Sequence, residues 1–113
     1  VSYNSLAHRT TWLRSDFVYL SFELSMLHIL KNTRLAEIYA RKPFPLFTLE
    51  SYTDCVISCI ERLRPDIVIE RITGDGPGDL LIAPSWSLHK RNVLNTIHRE
   101  MKRRDSFQGK QLL

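Results

Sequence analysis

The chain has 113 residues, 43% of them hydrophobic and 25% charged, with a formal net charge of +4. That length suits one domain with one core, and the composition is that of a globular chain rather than a disordered one. No apolar run reaches the roughly 20 residues of a membrane helix, because the best stretch, 17–30, is interrupted by Ser21, Glu23, Ser25 and His28.

The opening Val1-Ser2-Tyr3-Asn4 lacks the basic and apolar regions of a signal peptide, so the expectation is a cytoplasmic protein with no membrane partner. The positive charge is unevenly placed. Residues 89–113 hold seven Lys or Arg and two acids, a local +5, and the first 88 residues sum to −1. The basic character therefore belongs to the C-terminal element.

Residues 1–20 form a lead-in that reads as irregular or as a short helix over 6–13; the main segment is 21–113. Val18, Leu20, Phe22, Leu24 and Met26 alternate with Tyr19, Ser21, Glu23 and Ser25. That period of two predicts a strand over about 21–29. Lys31-Asn32-Thr33 is a turn, since Asn tolerates the left-handed conformation. Thr33 then caps a short helix over 34–41, and Pro43 and Pro45 break the chain. Thr48 is an N-cap, and Leu49, Tyr52, Val56, Ile60 and Leu63 recur at helical spacing, predicting an amphipathic helix over 48–63. It stops at Arg62-Leu63-Arg64-Pro65.

Ile67-Val68-Ile69 is a β-branched run of the kind expected in a strand buried on both faces. Strand, helix and strand in this order make a β-α-β unit. Gly74, Gly76, Pro77 and Gly78 demand a loop. Ser87 is positioned to cap a last helix over 88–104, with Val93, Leu94, Ile97 and Met101 as its apolar stripe and basic residues opposite. The predicted class is α/β: a β-α-β fragment followed by a basic amphipathic helix.

Several residues carry a functional and a structural reading side by side. Cys55 and Cys59 are the two cysteines of the chain. Four apart on a helix they make a poor disulfide, and two thiols fall short of the three or four ligands of most zinc and iron–sulfur sites. Two small, partly buried helix residues account for them, and no metal site is assigned. His28 ends a predicted strand, where ligands approach in α/β folds; a hydrogen-bonded structural histidine also fits. The loop from Thr73 to Asp79 is neither a P-loop nor a dinucleotide fingerprint. Its glycines allow an anion nest, against which Asp75 and Asp79 argue, or a tight structural turn. Glu70 and Arg71 point to opposite faces of their strand. Arg71 either reaches a carboxylate in a cleft, pairs across the sheet, or is exposed because the strand lies at an edge. Arg99, Lys102, Arg103 and Arg104 are candidates for RNA phosphates, or a solvated face that complements the helix dipole. No catalytic set stands out.

From about Ser25 onward the chain resembles the C-terminal third of a family of uncharacterised bacterial radical-SAM proteins. The matching stretches run from Leu27-His28-Ile29-Leu30-Lys31-Asn32-Thr33 through Leu49-Glu50-Ser51-Tyr52 to Ile67-Val68-Ile69-Glu70-Arg71-Ile72-Thr73-Gly74-Asp75-Gly76-Pro77. Leu80-Leu81-Ile82-Ala83-Pro84, Trp86-Ser87-Leu88 and Arg103-Arg104-Asp105-Ser106-Phe107-Gln108-Gly109-Lys110 complete them. More distantly the chain is similar to the radical-SAM half of the Elongator acetyltransferase subunit, whose family modifies tRNA.

The resemblance implies the last part of a partial TIM-like barrel, with His28, Arg71 and the 74–78 loop near the mouth where active sites gather. It implies a [4Fe–4S] cluster and S-adenosylmethionine in an intact parent, with His28, Arg71 and Asp75 as cofactor or substrate contacts. The family's Cys-x3-Cys-x2-Cys motif is absent from this chain, so no cofactor is expected in it and no catalysis from it alone. Ser25, Asn32 and Gly78 also depart from the family pattern, which has His, Gly and Arg there, and residues 1–20 match poorly. The expected partner is the rest of the barrel. The alternatives are a small RNA-binding module using the basic helix, and a structural domain that self-associates through open strand edges.

Overall fold

The computed structural model describes residues 5–14, 17–74 and 77–113, and the side chains of residues 20–74 and 77–113. Strand β1 (Ser5–Arg14) and strand β2 (Phe17–Met26) form an antiparallel hairpin, with Ser5 opposite Met26 and Arg14 opposite Phe17. Strand β4 (Val68–Arg71) pairs parallel to β2 on its other edge, so the sheet order is β1-β2-β4. Strand β3 (Ile29–Leu30) pairs antiparallel with β5 (Leu81–Ala83) in a separate ribbon. Helices α1 (Arg34–Arg41) and α2 (Leu49–Glu61) connect β2 to β4, and α3 (Lys90–Arg103) follows β5. The chain is mixed α/β, and a parallel pair joined through helices is the β-α-β unit predicted from the sequence.

The helix starts follow from local chemistry. Thr33 Oγ1 accepts from Ala36 N at 3.1 Å and donates to Leu30 O at 2.7 Å, which couples the start of α1 to the end of β3. Asn32 before it has φ 62, the left-handed turn expected of it. At α2, Thr48 Oγ1 accepts from Ser51 N at 3.0 Å while Thr48 N donates to Ser51 Oγ at 2.9 Å. This reciprocal pair satisfies two otherwise orphaned amides. α3 departs from expectation. It begins at Lys90 after His89, with no side-chain cap, and Ser87 instead donates to Pro84 O at 2.7 Å inside a 3-10 turn. The chain turns once more before the helix, which removes the Ser87 hydroxyl from the helix amides.

The core lies between the sheet and the helices. Leu24 and Met26 of β2 meet Tyr52, Val56, Ile57 and Ile60 of α2 and Val93 and Ile97 of α3. Each such side chain contributes about 1.5–3 kcal/mol when fully removed from water.

Three expectations about the strands are corrected. The lead-in read as irregular or helical contains β1. The strand expected over 21–29 ends at Met26, because the chain leaves the sheet at Leu27 and His28 to place Ile29 opposite Ala83 of β5. The run Ile67-Val68-Ile69 is not buried on both faces: Ile67 is 7% exposed but Val68 is 51% exposed. β4 is an edge strand, and its β-branched residues report backbone preference rather than two covering layers.

Candidate functional site

The parallel pair β2 and β4 puts two carboxyl ends side by side, and the segments leaving the two strands meet there. Two residues beyond β2 stands His28; three beyond β4 stands Gly74, which is buried. A Cβ placed on Gly74 would collide with the His28 ring and lie 2.9 Å from Met26 Sδ. Any larger residue here would force the His28 ring and the Met26 thioether to move. His28, Gly74, Gly78, Leu81, Ser87, Leu88 and Lys90 line a cavity of about 180 Å3.

Burial lowers the His28 pKa from its ordinary 6.5, and the Lys90 ammonium lowers it further. The imidazole is therefore neutral at pH 7, with one nitrogen able to donate and the other to accept. The cavity joins that ring to a lysine at the start of a helix and to a glycine-bounded loop.

Tyr52 fixes the two strand ends relative to each other. It is 0% exposed, and its hydroxyl donates to Ile72 O at 2.7 Å with Leu24 O at 3.3 Å as a second acceptor. Burial, with Cys55 and Cys59 nearby, pushes its pKa well up, so it stays a donor. Its ring packs 5.4 Å from Trp86 and 5.8 Å from Phe47, centroid to centroid, and Trp86 Nε1 donates to Phe47 O at 3.0 Å. The loop carrying Gly74 thus leaves an anchored strand end.

Of the residues singled out from sequence, His28 reaches this cavity and Arg71 does not. Arg71 sits opposite Glu23 of β2 and pairs with it at 3.9 Å. It lines a different depression of about 550 Å3, shared with Glu70, Thr73 and His98 over a floor that includes Ile69, Leu94 and Met101. Asp75 lies outside the described residues. Lys90 and Ser87 were not singled out as cavity residues. Lys90 counted only toward the bulk charge of the last helix, and the 3-10 turn that brings Ser87 in has no periodic signal.

Two cations at the end of the basic helix are paired with acids. Arg103 pairs with Glu100, and Arg104 pairs with both Glu100 and Asp54. Hydrogen bonds from Arg103 and then Arg104 hold the Glu100 carboxyl down at about 2. Arg99 and Lys102 are exposed on the same helix. Beyond it the tail is pinned to the end of α2. Ser106 Oγ donates to Glu61 Oε2 at 2.6 Å, and Gln108 Nε2 donates to Arg64 O at 2.8 Å and Ile67 O at 2.7 Å. Gly109 N donates to Ile60 O at 3.1 Å. The Arg103–Lys110 stretch is a clamp that holds α3 against α2. Arg104 and Lys110 tie into that clamp, while Arg103 pairs with Glu100 of its own helix and is 69% exposed.

The Radical_SAM C-terminal domain family matches residues 23–103. The chain belongs to that family. The match opens inside β2 and runs through the cavity to the last residue of α3, so it contains His28, Gly74 and Lys90. The chain is 34% identical over 96 residues to the uncharacterized protein YtqA of Bacillus subtilis, covering 85% of this chain and 30% of that protein. It is 27% identical over 84 residues to the uncharacterized protein MJ0486 of Methanocaldococcus jannaschii, covering 74% of this chain and 26% of that protein. The chain thus spans less than a third of the length of these curated relatives. No solved structure matches.

The family implies S-adenosylmethionine and a [4Fe–4S] cluster. A cluster with one open iron needs three converging thiolates, but both cysteines of this chain stand on α2. No group of three His, Cys, Asp or Glu among the described residues can hold a metal ion. These residues do not fit the cluster. No helix of the described residues is long and apolar enough to cross a membrane.

Proposed function

We propose that this chain acts as the C-terminal segment of a radical-SAM protein, supplying one wall of the mouth of a partial TIM-like barrel. The observation that carries this reading is the contact of His28 with Gly74 at the carboxyl ends of two parallel strands, within the region the family matches. In barrels of this kind the loops after the strands build the active site. The open edge of β4 supports a further strand from the rest of the barrel. His28 faces the bound cofactor or substrate in this reading, Tyr52 and Gly74 position it, and the cluster is held by cysteines of the preceding part. The chain has no catalytic activity alone.

A chimera tests this. The matching segment of the Bacillus subtilis relative is replaced by this chain, the cluster is reconstituted anaerobically, and reductive cleavage of S-adenosylmethionine is measured. The chimera should cleave, and the same chimera with His28→Ala should keep the cluster's absorbance while losing most cleavage. A folded, cluster-loaded chimera that cleaves equally well without His28 would sink the assignment of that residue. A cluster assembled on the 113-residue chain alone would sink the division of labour.

A further inference from the structure

Cys55 and Cys59 take no part in the cavity or the clamp. They stand one turn apart on α2, both half-buried and both free thiols. Residues at this spacing share one helix face, with Cβ atoms about 5–6 Å apart. A disulfide wants about 3.8 Å between those atoms, so an intact helix opposes their oxidation to cystine. The helix is held intact by its Thr48–Ser51 cap and by buried Tyr52, Val56 and Ile60 on the neighbouring face. The two thiols therefore persist as a reduced pair on one helix face.

A metal–thiolate bond is about 2.3 Å, and two in line span about 4.6 Å, a span compatible with Cβ atoms about 5–6 Å apart on one helix face. The described residues contain no group of three metal-ligating side chains, and the Tyr52 hydroxyl is committed to Ile72 O. This rules out the four-coordinate geometry of structural zinc and leaves an ion content with two soft ligands.

We propose that Cys55 and Cys59 form a two-coordinate site for one soft monovalent d10 cation, of which copper(I) is the representative. Soft thiolates select such ions over hard ones. On binding, each S–H bond gives way to a metal–sulfur bond, two protons pass to solvent, and the oxidation state of the metal is unchanged. The resulting bis-thiolate unit carries one negative charge.

The test is anaerobic titration of the purified chain with copper(I) against a chromophoric competitor such as bicinchoninate, with X-ray absorption on the loaded protein. The expected result is one copper per chain, two sulfur neighbours and two protons released. Cys55→Ser and Cys59→Ser should each weaken binding by about 100-fold or more, the loss of an intramolecular second ligand. Two coppers per chain, a single sulfur neighbour, or binding that survives in the double serine variant would overturn the site. Stoichiometry and absorption use the unaltered chain, so the conclusion does not depend on a variant folding.

Discussion

The ring of His28 occupies the space that a side chain at position 74 would need, so the two residues are mutually exclusive in size. Gly74→Ala should lower stability by about 1–3 kcal/mol, the usual cost of overpacking a closed site. Pairing it with His28→Ala should recover part of that loss, because the methyl then has room. Urea unfolding of the four proteins in the cycle decides the matter. An additive outcome would mean that the contact is not what makes glycine necessary.

The same ring predicts a pH dependence. The folded pKa of His28 lies below 6.5, so between the folded value and 6.5 the unfolded chain binds more protons than the native one. Stability therefore falls on acidification through that window and levels off below the folded pKa. His28→Gln should flatten this part of the profile, and Lys90→Gln should move the His28 titration upward in NMR, since the ammonium adds to the depression. An unmoved titration in the Lys90 variant would remove the lysine from the cavity's electrostatics.

Tyr52→Phe keeps the ring and removes one hydroxyl. Two buried carbonyls, Leu24 O and Ile72 O, then lose their donor. The expected cost is about 1–2 kcal/mol, with faster amide exchange at the ends of β2 and β4. A neutral substitution would show that packing against Phe47 and Trp86 positions the strand ends without the hydrogen bond.

The tail clamp depends more on backbone than on charge. Gly109 has φ 85, and a Cβ there would meet Pro65 at 3.0 Å and Leu63 O at 3.1 Å. Gly109→Ala should cost more than about 1 kcal/mol, from strain and crowding together. Asp54→Asn breaks the pair with Arg104, in which Asp54 is 62% exposed, and should cost less than about 1 kcal/mol. Thermal unfolding of both variants orders the two contributions, and the reverse order would make the ion pair the fastening.

Local rules carried far into this protein because several elements are decided by a few neighbouring atoms. Thr33 and Thr48 cap helices because a hydroxyl one turn from an amide needs no tertiary partner. Asn32 turns left for reasons internal to one residue. The apolar stripe of α2 faces the core as its spacing requires, and the motif resemblance led to the family that the comparison shows. What sequence reading missed depends on long-range pairing. Whether Val68 is buried rests on how many strands flank β4, and whether Ser87 caps α3 rests on where a 3-10 turn ends. Arg71 and His28, both placed at one mouth, were separated by the register that sets Arg71 opposite Glu23. The cavity itself came only from the fold. It needs Lys90, 62 positions beyond His28 in the chain, to be brought back across the sheet by β5 and the turn after it. No local pattern encodes that distance, because these residues are brought together only by tertiary packing.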